Sequence, residues 1–197
     1  MKISNSEFTD LGTQLILPIF EDTKKAPNNS LNGLNRSQRR LVRDVLVSGG
    51  FEGKKRTRMS LWTPGCNITL VGMGVKEGMS HKMARNAGAR LISSLSKKKG
   101  TDLTVRFTTG WNGDRMVDFA EGMMLRDYEF LEHQEKPDDH IDEEWKVDFQ
   151  ASSRHQVKLS VELQNVRSVV KGLHKARDLG NEPANVLYPM ELSLIHI

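Results

Sequence analysis

The densest run of side chains able to hold a metal is Asp138, Asp139, His140, Asp142, Glu143 and Glu144. Such a run offers carboxylate oxygens and a ring nitrogen, but a hard-cation loop also needs a turn glycine and a set ligand spacing. Neither is present, so the run reads as solvated loop charge. The six histidines are scattered. His133 and His140 are the one pair within seven residues, there is no His-Glu-x-x-His helix, and His81 reads as a surface residue in a first helical turn. The lone thiol, Cys66, follows Pro64-Gly65 in a turn with no partner base in the pattern, which makes it a structural or bystander cysteine rather than a nucleophile. Met73, Met79, Met83, Met123 and Met124 read as core filler rather than a ligand box.

Glycines offer a different chemistry. Gly72, Gly74 and Gly78 lie between an apolar run and a helical one, an order that can cradle phosphate on backbone N–H groups. The spacing is not a dinucleotide fingerprint and no acidic ribose partner can be placed. Close packing at a strand end is the reading adopted for Gly72 and Gly74, with a weak phosphate loop as the alternative.

The elements that must position these residues alternate between the two periods. Residues 14–20 (QLILPIF) form an apolar strand; Pro18 places it near its end or at a sheet edge. Residues 21–32 are a polar loop. Ser37 is the expected cap of a helix with Leu41, Val42, Val45 and Leu46 on one face, ended by Gly49-Gly50. Residues 59–62 and 67–74 read as strands around a Pro64-Gly65 turn, the second buried on both faces at Leu70-Val71. Ser80 opens the clearest helix, with Met83, Ala84, Ala87, Leu91, Ile92 and Leu95 in phase and Lys97 to Gly100 closing it. A strand follows over 102–107. Asp114 or Asp118 is the expected cap of a third helix carrying Val117, Ala120, Met124 and Tyr128. Residues 132–148 are an acidic loop, and 156–163 alternate Val157, Leu159, Val161 and Leu163 as a one-faced strand. The last helix has an apolar stripe of Val166, Val169, Val170, Leu173 and Ala176, with Gly180-Asn181 suited to a left-handed cap. Strands alternating with helices predict an α/β fold, a mostly parallel or mixed sheet flanked by helices.

The totals agree. A chain of 197 residues fits one ordinary domain with some extra. No run is apolar enough to span a membrane, and the first residues resemble neither a secretory signal nor a transit peptide. A single cysteine suits a reducing cytoplasm. Charge is uneven: residues 1–100 carry 18 Lys/Arg against 7 Asp/Glu, and the rest 11 against 18. Basic clusters at 36–43, 54–58 and 97–99 make nucleic acid a conceivable partner. No nucleic-acid module accompanies them, so solvated surface is favoured, and the opposed halves could serve contact between subunits.

One stretch organises the whole. Residues 176–189 (ARDLGNEPANVLYP) resemble the junction of leucyl aminopeptidases, the cytosol aminopeptidases, through Ala176, Arg177, Leu179, Asn181, Pro183 and Asn185. Tyr188 stands where that family more often has Thr. Phe51 to Lys54 resemble its Phe-x-Gly-Lys element, Leu70 to Gly74 its Leu-Val-Gly-Leu-Gly strand, and Ala120, Gly122, Leu125, Tyr128 and Phe130 its third helix. Order and rough spacing agree from about residue 12 to residue 192.

The resemblance implies a macro-domain-like N-terminal domain over 1–163, a linking helix over 164–180 and the start of a catalytic domain over 181–197. It further implies a parent enzyme that removes N-terminal amino acids from peptides with two divalent metal ions, zinc or manganese, as a homo-hexamer. The family's Asn-Thr-Asp-Ala-Glu-Gly-Arg signature and ligating lysine do not occur here. No catalytic or metal-binding residue is therefore assigned, no cofactor is expected in this chain, and it reads as a fragment, inactive alone, with a role in assembly and active-site access. The alternative is a free-standing macro-like domain binding a phosphorylated nucleotide or nucleic acid.

Overall fold

The apolar run at residues 14–19 is the centre of the molecule. The computed structural model describes residues 1–6, 11–23, 28–95, 101–133, 144–183 and 185–187. In chain order the elements are β1 (Lys2–Ser6), β2 (Gln14–Ile19), a 3₁₀ turn (Asn28–Leu31), α1 (Arg36–Val47), β3 (Arg58–Leu61), β4 (Asn67–Gly72), α2 (His81–Leu95), β5 (Asp102–Arg106), α3 (Gly113–Arg126), β6 (Lys146–Gln150) and α4 (Ser153–Asn181). The sheet order is β1-β6-β5-β2-β4-β3, parallel throughout except for the β3–β4 hairpin. One face packs on α1 and the 3₁₀ turn through Leu15, Leu17, Ile68, Leu70, Leu31, Val42 and Leu46. The other packs on α2, α3 and α4 through Ile16, Val105, Phe149, Leu91, Phe119 and Leu159. Each such side chain withdrawn from water contributes about 1.5–3 kcal/mol.

The expected α/β architecture, a mixed sheet flanked by helices, is therefore present, with several local corrections. Of the two placements that Pro18 allowed, the strand end holds and the sheet edge does not: Pro18 is the next-to-last residue of β2, which lies between β5 and β4 with all six residues buried. Pro18 is tolerated because β5 pairs only with Gln14 to Ile16, so the ladder on that side has ended before the missing N–H is needed. The freed Pro18 carbonyl accepts from Thr108 Oγ1 at 3.1 Å and Trp111 Nε1 at 3.3 Å. The edge strands are β3 and β1, and β1 carries a polar sequence, KISNS, that gives no period-two signal.

Two of the three expected caps move upstream. Asn35, not Ser37, caps α1: its side chain accepts from the Gln38 N–H while Gln38 Oε1 accepts from the Asn35 N–H. Asn112, not Asp114 or Asp118, caps α3 by accepting from the Arg115 N–H at 2.9 Å. Ser80 does cap α2, its Oγ accepting from the Met83 N–H. The proposed closure of α2 at Lys97 to Gly100 lies outside the described residues. So does most of the acidic run, Asp138 to Glu143, while the end of the expected loop is β6, behind the buried Trp145.

The largest correction concerns residues 156–163, which are helix. Their alternation is also two i, i+4 rungs: Leu159 and Leu163 are buried, whereas Val157 and Val161 are 75% and 55% exposed. α4 is thus one helix from Ser153 rather than a strand followed by a helix from 164. Of its expected stripe, Val170 is buried and Val166 packs against the core, but Val169, Leu173 and Ala176 face solvent. Its end also differs. Glu182 caps it in extended conformation before Pro183, so the proline stops the helix and Gly180 stays within it.

Candidate functional site at the end of the last helix

Two separate sequence motifs meet where α4 ends. The Arg177 guanidinium lies 5.3 Å from the centroid of the Tyr128 ring and donates to the Leu125 carbonyl at 3.2 Å. That carbonyl is one of the last of α3, which has no intrahelical partner to accept from. Asn181 Nδ2 donates to the Tyr128 hydroxyl at 3.1 Å, and the His174 ring packs against Tyr128 at a tilt of 49° with ring centroids 5.1 Å apart. Leu125 and Tyr128 belong to the third-helix motif, and Arg177 and Asn181 to the junction motif. Side chains placed four apart on α4 grip one aromatic ring, which a helix of regular pitch presents on one face. Burial, then the charge of Arg177, holds the His174 imidazole below its ordinary pKa.

Of the other junction residues, Leu179 is half-buried, Ala176 and Asn185 are exposed, and Pro183 ends the helix. A groove of about 780 Å³ opens beside them, lined by Tyr128, Glu129, Arg167, Lys171, His174 and Asp178. Next to it, Glu132, His133 and Glu182 are the one group of three metal-capable side chains among the described residues. His133 Nε2 lies 2.8 Å from Glu182 Oε2. That contact, then Glu132, holds the Glu182 carboxyl below the usual range, while facing Glu182 raises Glu132. These groups are mostly solvated, and a two-metal hydrolytic centre needs a converging buried set of carboxylates that they do not form.

The remaining motifs are packing devices. Gly53 takes φ +70°, and its carbonyl accepts from the Gly74 N–H at 2.9 Å; the Thr57 carbonyl accepts from the Gly72 N–H at 2.8 Å. A methyl at Gly72 would collide with the Lys54 carbonyl oxygen, and one at Gly74 would crowd Lys55. Gly72 and Gly74 therefore press against the 53–57 loop, whose carbonyls take both of their N–H groups. The crevice at the carboxyl ends of the strands, the usual ligand position in an open α/β sheet, lies elsewhere. It has about 490 Å³ and is lined by Lys76, Thr108, Trp111, Asn112, Arg154 and His155. Sequence reasoning missed it because the segments that follow β4, β5 and β6, together with the starts of α3 and α4, supply residues far apart in the chain, a grouping only topology reveals.

Also missed is a charge network between α2 and α3. Asp118, 7% exposed, sits 2.7 Å from His81 Nδ1, 3.4 Å from Arg115 and 3.6 Å from Arg85, which in turn pairs with Glu121 at 2.7 Å. An aspartate orienting an imidazole resembles an acid–base pair, but Cys66 is buried in the core on the other face of the sheet and cannot be its nucleophile. Burial pushes the Cys66 thiol up, against the opposing effects of a Leu15 backbone bond and the Arg106 charge. Arg106 itself is buried, with Nε and Nη2 donating to Gln150 Oε1 and Nη1 to the Ser30 and Asn32 carbonyls. Desolvation lowers its pKa to about 10, opposed by Asp148. Met73, Met79, Met123 and Met124 are core, as expected.

These features define a class: an α/β module with a long helix locked to its side, whose described motif residues fasten elements together. The model of the N-terminal domain of the cytosol aminopeptidase family matches residues 16–137, and the chain belongs to that family. A probable cytosol aminopeptidase of Nostoc punctiforme is 25% identical over 189 residues, covering 92% of this chain and 37% of that protein. One of Brucella melitensis is 28% identical over 161 residues, covering 78% and 33%. The chain thus spans about a third of the length of these relatives. A tomato leucine aminopeptidase mutant shares the fold with a TM-score of 0.69 at 20% identity, over 98% of this chain and 40% of that one. A bottromycin maturation enzyme solved with manganese also shares it, with a TM-score of 0.59 at 15% identity over 92% and 34%.

Proposed function

We propose that this chain is the non-catalytic N-terminal domain and linking helix of a metalloaminopeptidase, acting in assembly and in access to the active sites. The observation that carries this is the lock of Arg177 and Asn181 on Tyr128 and Leu125. It fixes the direction in which α4 delivers the chain at Pro183, as a hinge-free link between two domains requires. In this reading the parent enzyme removes N-terminal amino acids from peptides with two divalent metal ions, zinc or manganese, held by a further domain. The described residues of this chain do not fit that metal pair, so no catalytic step is assigned to them. The domain division stays at 1–163, 164–180 and 181–197, with the first eleven residues of α4 counted in the domain they pack on. A cytoplasmic setting accords with the relatives' names, and no described helix is long and apolar enough to cross a membrane.

A domain exchange tests the reading. Residues 1–183 of this chain, joined at the junction proline to the remainder of the Nostoc punctiforme relative, should give chelator-sensitive hydrolysis of a leucyl chromogenic substrate and a homo-hexamer on light scattering. The isolated chain should be a monomer or weak oligomer. A folded, soluble chimera without activity, or a stable hexamer of the isolated chain, would count against it.

A further inference from the structure

Beside the edge strand β3, between it and α2, lies a recess of about 420 Å³. Arg56, Arg58 and Arg90 stand around it, Val71, Ala87 and Leu91 give it an apolar floor, and no acidic side chain lines it. Arg58 is held in place, its Nη1 donating to the Ser94 carbonyl at 3.2 Å. Ser93 Oγ accepts from Arg126 Nε at 2.7 Å, which leaves the Ser93 hydroxyl proton free to donate. Arg56 and Arg90 make no ion pair or hydrogen bond among the described residues.

Lys54, two residues before Arg56, pairs by contrast with Glu52, and Arg85, on the same helix as Arg90, pairs with Glu121. Two guanidiniums close enough to repel, one of them half-buried, are unfavourable until an anion joins them. Burial, then the charge of Arg56, lowers the Arg90 pKa. The planar N–H forks of arginine match the oxygens of a phosphate better than any other side chain does.

We infer that this recess binds a small phosphomonoester, its phosphate clamped by Arg56 and Arg90 and its apolar or planar body laid on Val71, Ala87 and Leu91. The volume lies in the range of about 300–1,000 Å³ typical of small-molecule sites. A nucleic-acid backbone is a poorer fit, because its phosphates line a continuous polar ribbon that would leave the concave apolar floor uncovered. The recess shares no lining residue with the groove at the junction and does not depend on the aminopeptidase reading.

Calorimetric titration of the whole chain with phenyl phosphate, inorganic phosphate and phenol tests it. Phenyl phosphate should bind about tenfold more tightly than inorganic phosphate, and phenol should not bind. Arg90→Ala and Arg56→Ala should each weaken phenyl phosphate by about tenfold or more without lowering Tm, since alanine suits the α2 position and Arg56 is exposed. Lys82→Ala, on the same helix but away from the recess, should change nothing. Binding unaffected by both arginine variants, or no binding of phenyl phosphate, would overturn the assignment. So would a short duplex DNA that displaces phenyl phosphate at lower concentration than phenyl phosphate itself needs.

Discussion

Gly122 sits in the third-helix motif, and its replacement by alanine separates packing from propensity. In a helix interior, glycine to alanine gains about 1 kcal/mol from backbone entropy alone. Here the added methyl would lie 2.6 Å from the Arg85 carbonyl carbon and 2.9 Å from the Arg85 Cα, and closer still to the carbonyl oxygen. Carbon–carbon contacts settle near about 3.5–4.0 Å, so α2 and α3 would have to part by roughly 1 Å. All three obstructing atoms are backbone, and no rotamer change relieves them. The opposite notch, Gly88 against the Phe119 carbonyl, shows that the closeness runs along the crossing. Overpacking of this kind costs about 1–3 kcal/mol or more, and parting the helices also loosens Phe119 and Met123 in the core. We expect Gly122→Ala to lose about 2 kcal/mol net, a sizeable part of the 5–15 kcal/mol or so that holds an ordinary domain folded. Urea unfolding followed by tryptophan fluorescence would show a lower midpoint with an unchanged slope. Gly172→Ala is the control, because its methyl would meet nothing within 4 Å, and it should be stabilised by about 1 kcal/mol. A Gly122→Ala protein as stable as the parent would refute the close-packing account of the motif.

Three further outcomes follow from the same structure. Gln150→Leu removes the oxygen that takes two N–H groups of the buried Arg106, and should destabilise by about 3 kcal/mol in the same urea assay. Asp114 has its pKa depressed, chiefly by the hydrogen bond from Lys158, so its contribution is full above its ordinary value of 3.8 and is lost as pH falls through the folded value. The stability gap between the parent and Asp114→Asn should therefore be open near about pH 6 and closed near about pH 2. Cys66, buried and with its pKa raised, should react slowly with a thiol-specific chromogenic reagent in the native protein and at once in denaturant.

Much of the fold was legible because its signals are local. Leu70-Val71 announced a doubly buried strand, and α2 holds its phase for four turns. Where the sequence misled, two structures shared one pattern: Val157, Leu159, Val161 and Leu163 satisfy a strand face and also two helical rungs, and only the partner surface decides. Pro18 argued for a strand end or a sheet edge, and the end is what occurs: a parallel neighbour that stops early lets the proline close a strand in the middle of a sheet. The caps moved because an asparagine two residues before Ser37 and another two before Asp114 compete equally well for a first-turn N–H. The junction motif was visible in the letters alone, but its purpose was not. That Arg177 and Asn181 close on Tyr128, some 50 residues earlier, is a tertiary fact, as are the Asp118 network and the arginine recess.

The most direct test of the central reading is the activity of the purified 197-residue chain on a leucyl chromogenic substrate with added manganese or zinc. A non-catalytic domain predicts no turnover above the metal-only blank at any pH, while the protein remains folded by circular dichroism. Hydrolysis that is abolished by a chelator and restored by metal would contradict it, and would place a reaction centre within this chain.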